Sequence, residues 1–338
     1  MTYLEWTCDL DRGFAAPAEL LSLTFPTQVG SHDATIHLPS PPVDPAAWYL
    51  TQSTPWGAGD PSEEWGMVLE RRGGCVQRVA VSRLLLTARV VGAEAEIQRA
   101  AEEIQSERNN WASNLQTWLE VVTGQQLTPI GHRKPRVIGN LPIWHASAEQ
   151  SRREPITFPG RMGITLERLP VADVTTELLT GCSSLAPGHP PELAWLLLRD
   201  ARALSAVGQH RRAVIDAATA AELAITRMLD TLLDRLDAEE CEALRKKHQT
   251  LGGKIELVES RIRPLPADLY ENLVARRNDA VHEGRAIGAG TCDLAIEAAA
   301  TVVELAHPLP AVLGARRWPV RNPTGAHTPG TDDEGEDT

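Results

Sequence analysis

A cation, an amide and an imidazole fall within six consecutive positions late in the sequence. They are Arg277, Asn278 and His282, and Gly284 follows the histidine closely. The glycine predicts the end of a helix, so His282 would lie in its last turn, where the helix dipole favours a protonated imidazole. Imidazole titrates near neutral pH and a guanidinium pairs with phosphate oxygens. These residue types therefore suit proton transfer at a phosphate ester.

The helix that must carry these residues has an apolar row with a four-residue spacing. Arg277 falls in this row, between positions occupied by Leu269, Leu273 and Val281. In a helical bundle such a row faces the core, where a charge is costly unless it is paired. A buried Arg277 would therefore need an acidic partner.

An arginine with a polar residue directly after it and a histidine a few positions later, at the end of a late helix, resembles the motif of the HEPN family. The matching residues here are Arg277, Asn278 and His282, and the resemblance covers only the C-terminal third of the chain. It implies a dimeric helical bundle and, in many members, a metal-independent endoribonuclease of toxin–antitoxin or anti-phage systems. Other members of the family only bind.

The chemistry implied by the resemblance needs no metal and no cofactor, because RNA carries its own nucleophile, the 2′-hydroxyl. His282 would take or give the proton, Arg277 would stabilise the charge that develops on phosphorus, and Asn278 would orient the phosphate or the imidazole. Five residues at about 100° each, however, separate Arg277 and His282 by about 140° on a regular helix. A two-fold homodimer through the C-terminal bundle would bring both copies of the motif to one site.

The alternative interpretation assigns Arg277 a structural role. Glu222 falls on or beside the apolar stripe of an earlier helix and would pair with Arg277 inside the bundle, while His282 only caps the helix end. In the catalytic interpretation Glu222 is an auxiliary residue of the site. In the structural one the chain is a non-catalytic, HEPN-like binding or scaffold protein.

Composition restricts the possible environments and partners. The chain has 338 residues, of which 42% are hydrophobic, and its formal net charge is −12. This charge disfavours a broad basic surface for nucleic acid, so contact with an RNA substrate would be confined to a few arginines. No apolar run is long enough for a membrane span, the N-terminal residues are not typical of a signal peptide, and the five cysteines are scattered. We expect a cytoplasmic protein that has no membrane-spanning segment, no bound metal and no disulfide.

The order of strand-like and helix-like patterns along the sequence predicts an α+β fold of two domains. Residues 1–187 form a mixed, β-rich domain that contains one long helix at about 92–123. Within it, short strands are expected at 20–25, 35–38, 67–70, 76–91, 136–139, 143–145 and 164–169. Seven of the nine tryptophans precede position 150 and are expected to fill this domain's core. The basic residues at 132–136 and 152–153 are expected to be loop charge.

The second domain, residues 191–310, is predicted to be an antiparallel bundle of five helices, HEPN-like in arrangement. Gly252 and Gly253 predict a break in the third helix. Residues 311–338 are expected to form a disordered tail. Because N-terminal extensions of HEPN proteins resemble sensor or targeting modules, the first domain is expected to recognise a phage-derived or antitoxin protein partner. The competing hypothesis is a scaffold with the β domain as its binding surface.

Overall fold

The computed structural model has an α+β fold, with an antiparallel sheet near the N-terminus and helices that dominate from residue 176 onwards. It describes residues 2–44, 46–51, 65–128, 144–145, 154–155, 172–234, 236–283 and 285–314. Several predicted features lie outside the described residues. They are the basic residues at 132–136 and 152–153, the strands at 136–139 and 164–169, Gly284, and the tail from residue 315.

One long strand, β5 (Cys75–Val90), organises a five-stranded sheet. β1 (Thr2–Pro17) pairs with β5 along one edge. On the other edge, β4 (Gly66–Arg72) pairs with the first half of β5 and β3 (His32–His37) with the second half. β2 (Thr24–Val29) extends the sheet beyond β3. Every other strand of this sheet thus depends on β5, directly or through β3.

The predicted strands at 35–38, 67–70 and 76–91 fall in or next to β3, β4 and β5, but the prediction at 20–25 is largely wrong. Residues Ala18–Leu20 form a 3-10 turn, and β2 begins only at Thr24. Leu20 and Leu21 are both buried, and neither belongs to a strand. A short two-stranded ladder, β6 (Trp144–His145) with β7 (Glu154–Pro155), replaces the single strand predicted at 143–145.

Helix α1 (Glu94–Thr123) packs against the sheet. Its bounds lie close to the predicted range of about 92–123. It ends at Gly124, whose φ of 71° is the left-handed conformation that glycine adopts easily. Its apolar side chains enter the same core as the buried face of the sheet, and the Nε1 of Trp111 donates to the Oγ1 of Thr27 at 2.9 Å. This bond gives the buried indole nitrogen a partner, and the same Thr27 hydroxyl donates to the carbonyl oxygen of Ser183 at 2.8 Å.

The tryptophans of this region divide between core and surface. Trp65, Trp111 and Trp118 are buried, as expected for core residues. Trp48 is 55% exposed, and the guanidinium of Arg71 lies 5.4 Å from its ring centroid. Trp48 therefore departs from the expected core-filling role.

The sequence interpretation missed a helix, α2 (Thr176–Leu185), in a region expected to contain only short strands. The hydroxyl of Thr175 caps its first turn by accepting from the amide of Leu178. Leu178 and Cys182 are fully buried and pack in the core formed by the sheet and α1. Two short polar residues, Ser183 and Ser184, and Gly181 weaken the helical signal of this segment in the sequence.

The remaining described helices gather around a second hydrophobic core. α3 (Leu193–Ala206), α4 (His210–Leu233) and the late helix α8 (Ala289–Ala306) pack against one another at its centre. α6 (Leu251–Arg261) packs on α4, whereas α5 (Ala238–Lys247) buries none of its residues fully. None of the helices described is long and apolar enough to cross a membrane.

The predicted third helix of the bundle is in fact two helices, and the break lies before the glycines. α5 ends at Lys247 and α6 begins at Leu251, so that Gly252 and Gly253 lie in the first turn of α6. The hydroxyl of Thr250 caps this turn by accepting from the amide of Gly253 at 3.1 Å. The cap, not the glycine pair, sets the boundary.

The expectation of a disordered tail from residue 311 is wrong for its first residues. Ala311–Leu313 form a 3-10 turn, and Leu313 is 2% exposed in the core shared by the sheet, α1 and α2. A Cβ on Gly181 would lie 2.8 Å from the carbonyl oxygen of Val312. The glycine in α2 thus permits the close approach of this returning turn.

Candidate functional site

The helix that carries the motif departs from regular α-helical geometry on both sides of Arg277. Its segments are a π-helix at Tyr270–Ala275, a single α-turn at Arg276–Asn278 (α7) and a second π-helix at Asp279–Glu283. We call the whole of Tyr270–Glu283 the motif helix. π-helical turns, with hydrogen bonds from residue i to i+5, are rare and frequently mark functional sites.

The wide turns change which residues face the core. Leu273, Val274 and Ala280 are buried. Arg277 is only half-buried, and Val281 is 37% exposed. The expectation that Arg277 continues a buried apolar row is therefore wrong. The row was inferred with about 3.6 residues per turn, and each wider turn rotates the later positions away from the core.

Arg277, Asn278 and His282 all reach water. Asn278 and His282 are exposed, and an Nη1 of Arg277 lies 3.4 Å from the Oδ1 of Asn278, a long hydrogen bond. A π-turn advances by about 80° per residue instead of about 100°, so the angle between Arg277 and His282 is smaller than the about 140° of a regular helix. The geometric objection to a common site is thereby reduced.

Glu222, the acidic residue assigned to the site, lies elsewhere. Its Oε1 accepts from the Nζ of Lys254 at 2.8 Å, in the contact between α4 and α6. Lys254 also donates to the hydroxyl of Thr226. The interpretation in which Glu222 pairs with Arg277 is therefore wrong, because Lys254 of α6 is the cation that binds this carboxylate.

The carboxylate that serves the motif helix is Asp279, which the sequence interpretation did not assign. Its Oδ2 lies 3.2 Å from Arg276, and its Oδ1 lies 3.6 Å from Arg285. Arg276 precedes the motif arginine directly, and Arg285 follows the helix. Asp279 thus pairs with two guanidinium groups, one on the motif helix and one just after it.

A further arginine reaches the motif helix from α4. The Nε of Arg211 donates to the carbonyl oxygen of Ala280 at 2.7 Å. We call Arg211, Arg276, Arg277, His282 and Arg285 the cationic cluster. The sequence interpretation missed Arg211 because the contact spans 69 residues. The local signal that remains is the run of basic residues at the start of α4, His210, Arg211 and Arg212.

The three buried cysteines, Cys8, Cys182 and Cys292, are poor candidates for nucleophiles or metal ligands. Burial raises the pKa of Cys8 and of Cys182 to about 12 and that of Cys292 to about 11. A thiol is reactive, and a metal ligand, only as the thiolate. Within the described ranges, no group of three or more acidic, histidine or cysteine side chains has the arrangement of a metal site.

Comparison with known proteins adds no family to this description. No family model matches the sequence, and no curated protein or solved structure is detectably similar to the chain. A functional inference therefore depends on the cationic cluster and on the HEPN-like spacing of Arg277, Asn278 and His282.

Proposed function

We propose that this protein is a metal-independent endoribonuclease of the HEPN type. The observation that carries the proposal is the wide turn at Asp279–Glu283, which reduces the angle between Arg277 and His282 on a water-exposed face. Arg276 and Arg285, which share the carboxylate of Asp279, place further guanidinium groups on and just after the motif helix. Such a local concentration of guanidinium groups suits a phosphate in a chain whose net charge is −12.

In the proposed reaction, the 2′-oxygen of RNA attacks the adjacent phosphorus and the bond from phosphorus to the 5′-oxygen breaks. His282 accepts the 2′-hydroxyl proton, and Arg277 stabilises the additional negative charge on the phosphoryl oxygens. Asn278, next to Arg277, orients the phosphate. The leaving 5′-oxygen receives a proton, and the products carry a 2′,3′-cyclic phosphate and a 5′-hydroxyl.

The reaction needs a second proton-transfer group, and the motif supplies one histidine per chain. A homodimer through the C-terminal helices would bring two copies of His282 to one cleft, one as base and one as acid. The proposal therefore includes a two-fold dimer. It also assigns the N-terminal domain a sensor or targeting role towards a phage-derived or antitoxin protein, in anti-phage defence or in a toxin system.

RNA cleavage in the presence of EDTA tests the proposal. Incubation of the full-length protein with mixed RNA is expected to yield 2′,3′-cyclic phosphate ends. His282→Ala is expected to lose at least about a hundredfold of the cleavage rate, the usual contribution of a general acid or base. Arg277→Ala is expected to lose activity while keeping its thermal midpoint, because Arg277 makes only one long side-chain hydrogen bond among the described contacts.

Matched control variants separate a specific loss from a general one. His189→Ala changes an exposed histidine in the connection before α3, and Arg263→Ala changes an exposed arginine after α6. Both are expected to cleave RNA at the wild-type rate. Wild-type protein that produces no cyclic phosphate ends, or a His282→Ala variant with full activity, would rule out the proposed reaction.

A non-catalytic binding protein is the second candidate, and one observation favours it. Three large side chains are about half exposed where Tyr49 pairs with Met67 of β4: Trp48, Tyr49 and Met67. Exposed apolar patches of this kind are typical of interaction surfaces. A binding protein would leave RNA intact in the same assay, and its partner affinity would fall with Trp48→Ala and not with His282→Ala.

A further inference from the structure

The contact between Arg211 and Ala280 lies within the second π-helical turn of the motif helix, Asp279–Glu283. Arg211 is the second residue of α4, and its Nε donates to the carbonyl oxygen of Ala280 at 2.7 Å. Ala280 is fully buried and precedes His282 by two residues. The contact therefore joins α4 to the turn that carries the imidazole.

A carbonyl in the last turn of a helix has no later helical amide to accept from. At a buried residue this oxygen needs another donor, because an unsatisfied buried carbonyl is unfavourable. The guanidinium of Arg211 supplies this donor, and a charged donor forms a stronger hydrogen bond than a neutral one. The wide turn at Asp279–Glu283 is thus stabilised from outside the motif helix.

We propose that Arg211 is a positioning residue of the site: through the carbonyl of Ala280, it holds the wide turn that reduces the angle between Arg277 and His282. This inference deepens the proposed ribonuclease function and rests on it. Without the contact, the turn relaxes towards regular α-helical geometry, and His282 rotates away from Arg277 towards the angle of about 140°.

A positioning role makes a different prediction from direct binding of the substrate phosphate. A residue that only aligns the imidazole affects the chemical step, so its loss lowers kcat and leaves KM nearly unchanged. A phosphate ligand contributes to the binding of the ground state, so its loss raises KM and weakens the salt dependence of binding. The two roles are therefore distinguishable by kinetics.

Three variants of the full-length protein test the proposal. Arg211→Met removes the donor and the charge, and Arg211→Lys keeps a charged donor on a chain of similar reach. Arg212→Met is the matched control, because Arg212 is the next residue of α4 and binds the side chain of Gln209 instead of the motif helix. All three remove or alter one arginine at the start of the same helix.

The kinetic expectation is specific. Arg211→Met is expected to lower kcat for RNA cleavage at least about tenfold, since small misplacement of a catalytic group is costly, with KM within about twofold. Arg211→Lys is expected to recover kcat to within about threefold of the wild type. Arg212→Met is expected to resemble the wild type in both constants.

A structural measurement decides the inference independently of activity. In protein with ¹³C-labelled histidine, the ring signal of His282 is assigned by its absence from His282→Ala. It is expected to shift in Arg211→Met, to return in Arg211→Lys and to be unchanged in Arg212→Met. Hydrogen exchange of the amides that follow Ala280 is expected to be faster in Arg211→Met than in the wild type. In Arg211→Lys and Arg212→Met it is expected to be close to the wild-type rate.

The outcomes are separable. If the wild type cleaves no RNA, the ribonuclease proposal fails, but the His282 signal and hydrogen exchange still decide whether Arg211 holds the turn. If Arg211→Met does not fold, Arg211→Gln takes its place in both measurements. An unchanged His282 signal, a rise in KM at constant kcat, or a lysine variant as impaired as the methionine variant would overturn the positioning role.

Discussion

Several charged side chains in this protein pair with partners that are distant in sequence, and the pairing determines what each residue can do. The structural interpretation paired Glu222 with Arg277, but Glu222 binds Lys254, which lies 32 residues later on α6. The residue types of the candidate site, Arg277, Asn278 and His282, are evident from the sequence because they are local. The contact of Arg211 with the carbonyl oxygen of Ala280 depends instead on tertiary packing, which periodicity does not specify. Asp279 is local to the motif and pairs with Arg276 and Arg285.

Glu120 offers a test of electrostatics at the residue scale. Its side chain is 1% exposed, and it accepts from the amide of Thr128 at 2.5 Å and lies 3.2 Å from Arg199 of α3. Burial raises the pKa of this carboxyl, and the hydrogen bond from Thr128 and the charge of Arg199 only partly oppose the effect. The folded state therefore holds the proton to a higher pH than the unfolded state does.

The sign of the pH dependence follows from that difference. Stability contributed by Glu120 is fully present below the pKa of the unfolded state and is lost as pH rises through the higher folded-state pKa. Each unit of elevation corresponds to about 1.4 kcal/mol. Relative to Glu120→Gln, the wild type is thus expected to lose unfolding free energy as pH rises above the ordinary pKa of a glutamate, about 4.3, measured by denaturant titration. A difference that is constant, or that grows in favour of the wild type with pH, would contradict this expectation.

At the scale of elements, irregular backbone geometry is the main reason why strands and buried helix faces were placed incorrectly from the sequence. β1 was not predicted as a strand, although Leu4, Trp6, Cys8 and Leu10 alternate with more exposed residues. The charged residues among them and a shift of register between Asp9 and Phe14 obscure this pattern. The π-turns of the motif helix likewise shift its buried face away from the positions that regular periodicity predicts.

Two glycines of the β4–β5 hairpin provide a matched test of backbone constraint. Gly66 has a φ of 142°, and a Cβ there would lie 2.1 Å from the carbonyl oxygen of Ala80. Gly73, in the turn, has a φ of 57° and no atom within 4 Å of such a Cβ. Gly66→Ala is expected to lower the free energy of unfolding by about 3 kcal/mol or more, because the clash adds to the strain of this conformation.

Gly73→Ala meets only the cost of a left-handed residue, about 1 kcal/mol. Denaturant titration of both variants measures the difference. Equal destabilisation by the two substitutions would show that close packing against β5 at Gly66 has no energetic weight.

At the scale of the whole molecule, two hydrophobic cores are joined by a small number of contacts. The side chain of Asn114 on α1 donates to the carbonyl groups of Ala186 and Gly188, before α3. Arg199 on α3 reaches Glu120 on α1. Leu309 packs against both cores, and Leu313 completes the first. The sequence indicated where each core would form but not that the chain returns to the first one after α8.

Because these contacts connect the two hydrophobic cores, we expect the regions around them to unfold cooperatively. Most tryptophans lie in the N-terminal half, so their fluorescence reports mainly the first core, whereas helical circular dichroism is dominated by the second part. The two signals are expected to give coincident midpoints in denaturant. Leu313→Ala is expected to cost about 2–5 kcal/mol and to lower both midpoints together.

Val312→Ala is the control for this test, because Val312 is 50% exposed and its truncation is expected to change stability by less than about 0.5 kcal/mol. A Leu313→Ala variant as stable as Val312→Ala would show that the returning turn does not support the first core.

The return of Leu313 also orders events during translation. The first core contains residues from β1 and a residue more than 300 positions later, so it remains incomplete until the ribosome has made the helices between them. At ordinary elongation rates this interval is on the order of tens of seconds. A nascent chain that ends before residue 311 therefore lacks the side chain of Leu313, and the apolar surface that Leu313 covers stays open until the last helices have been made.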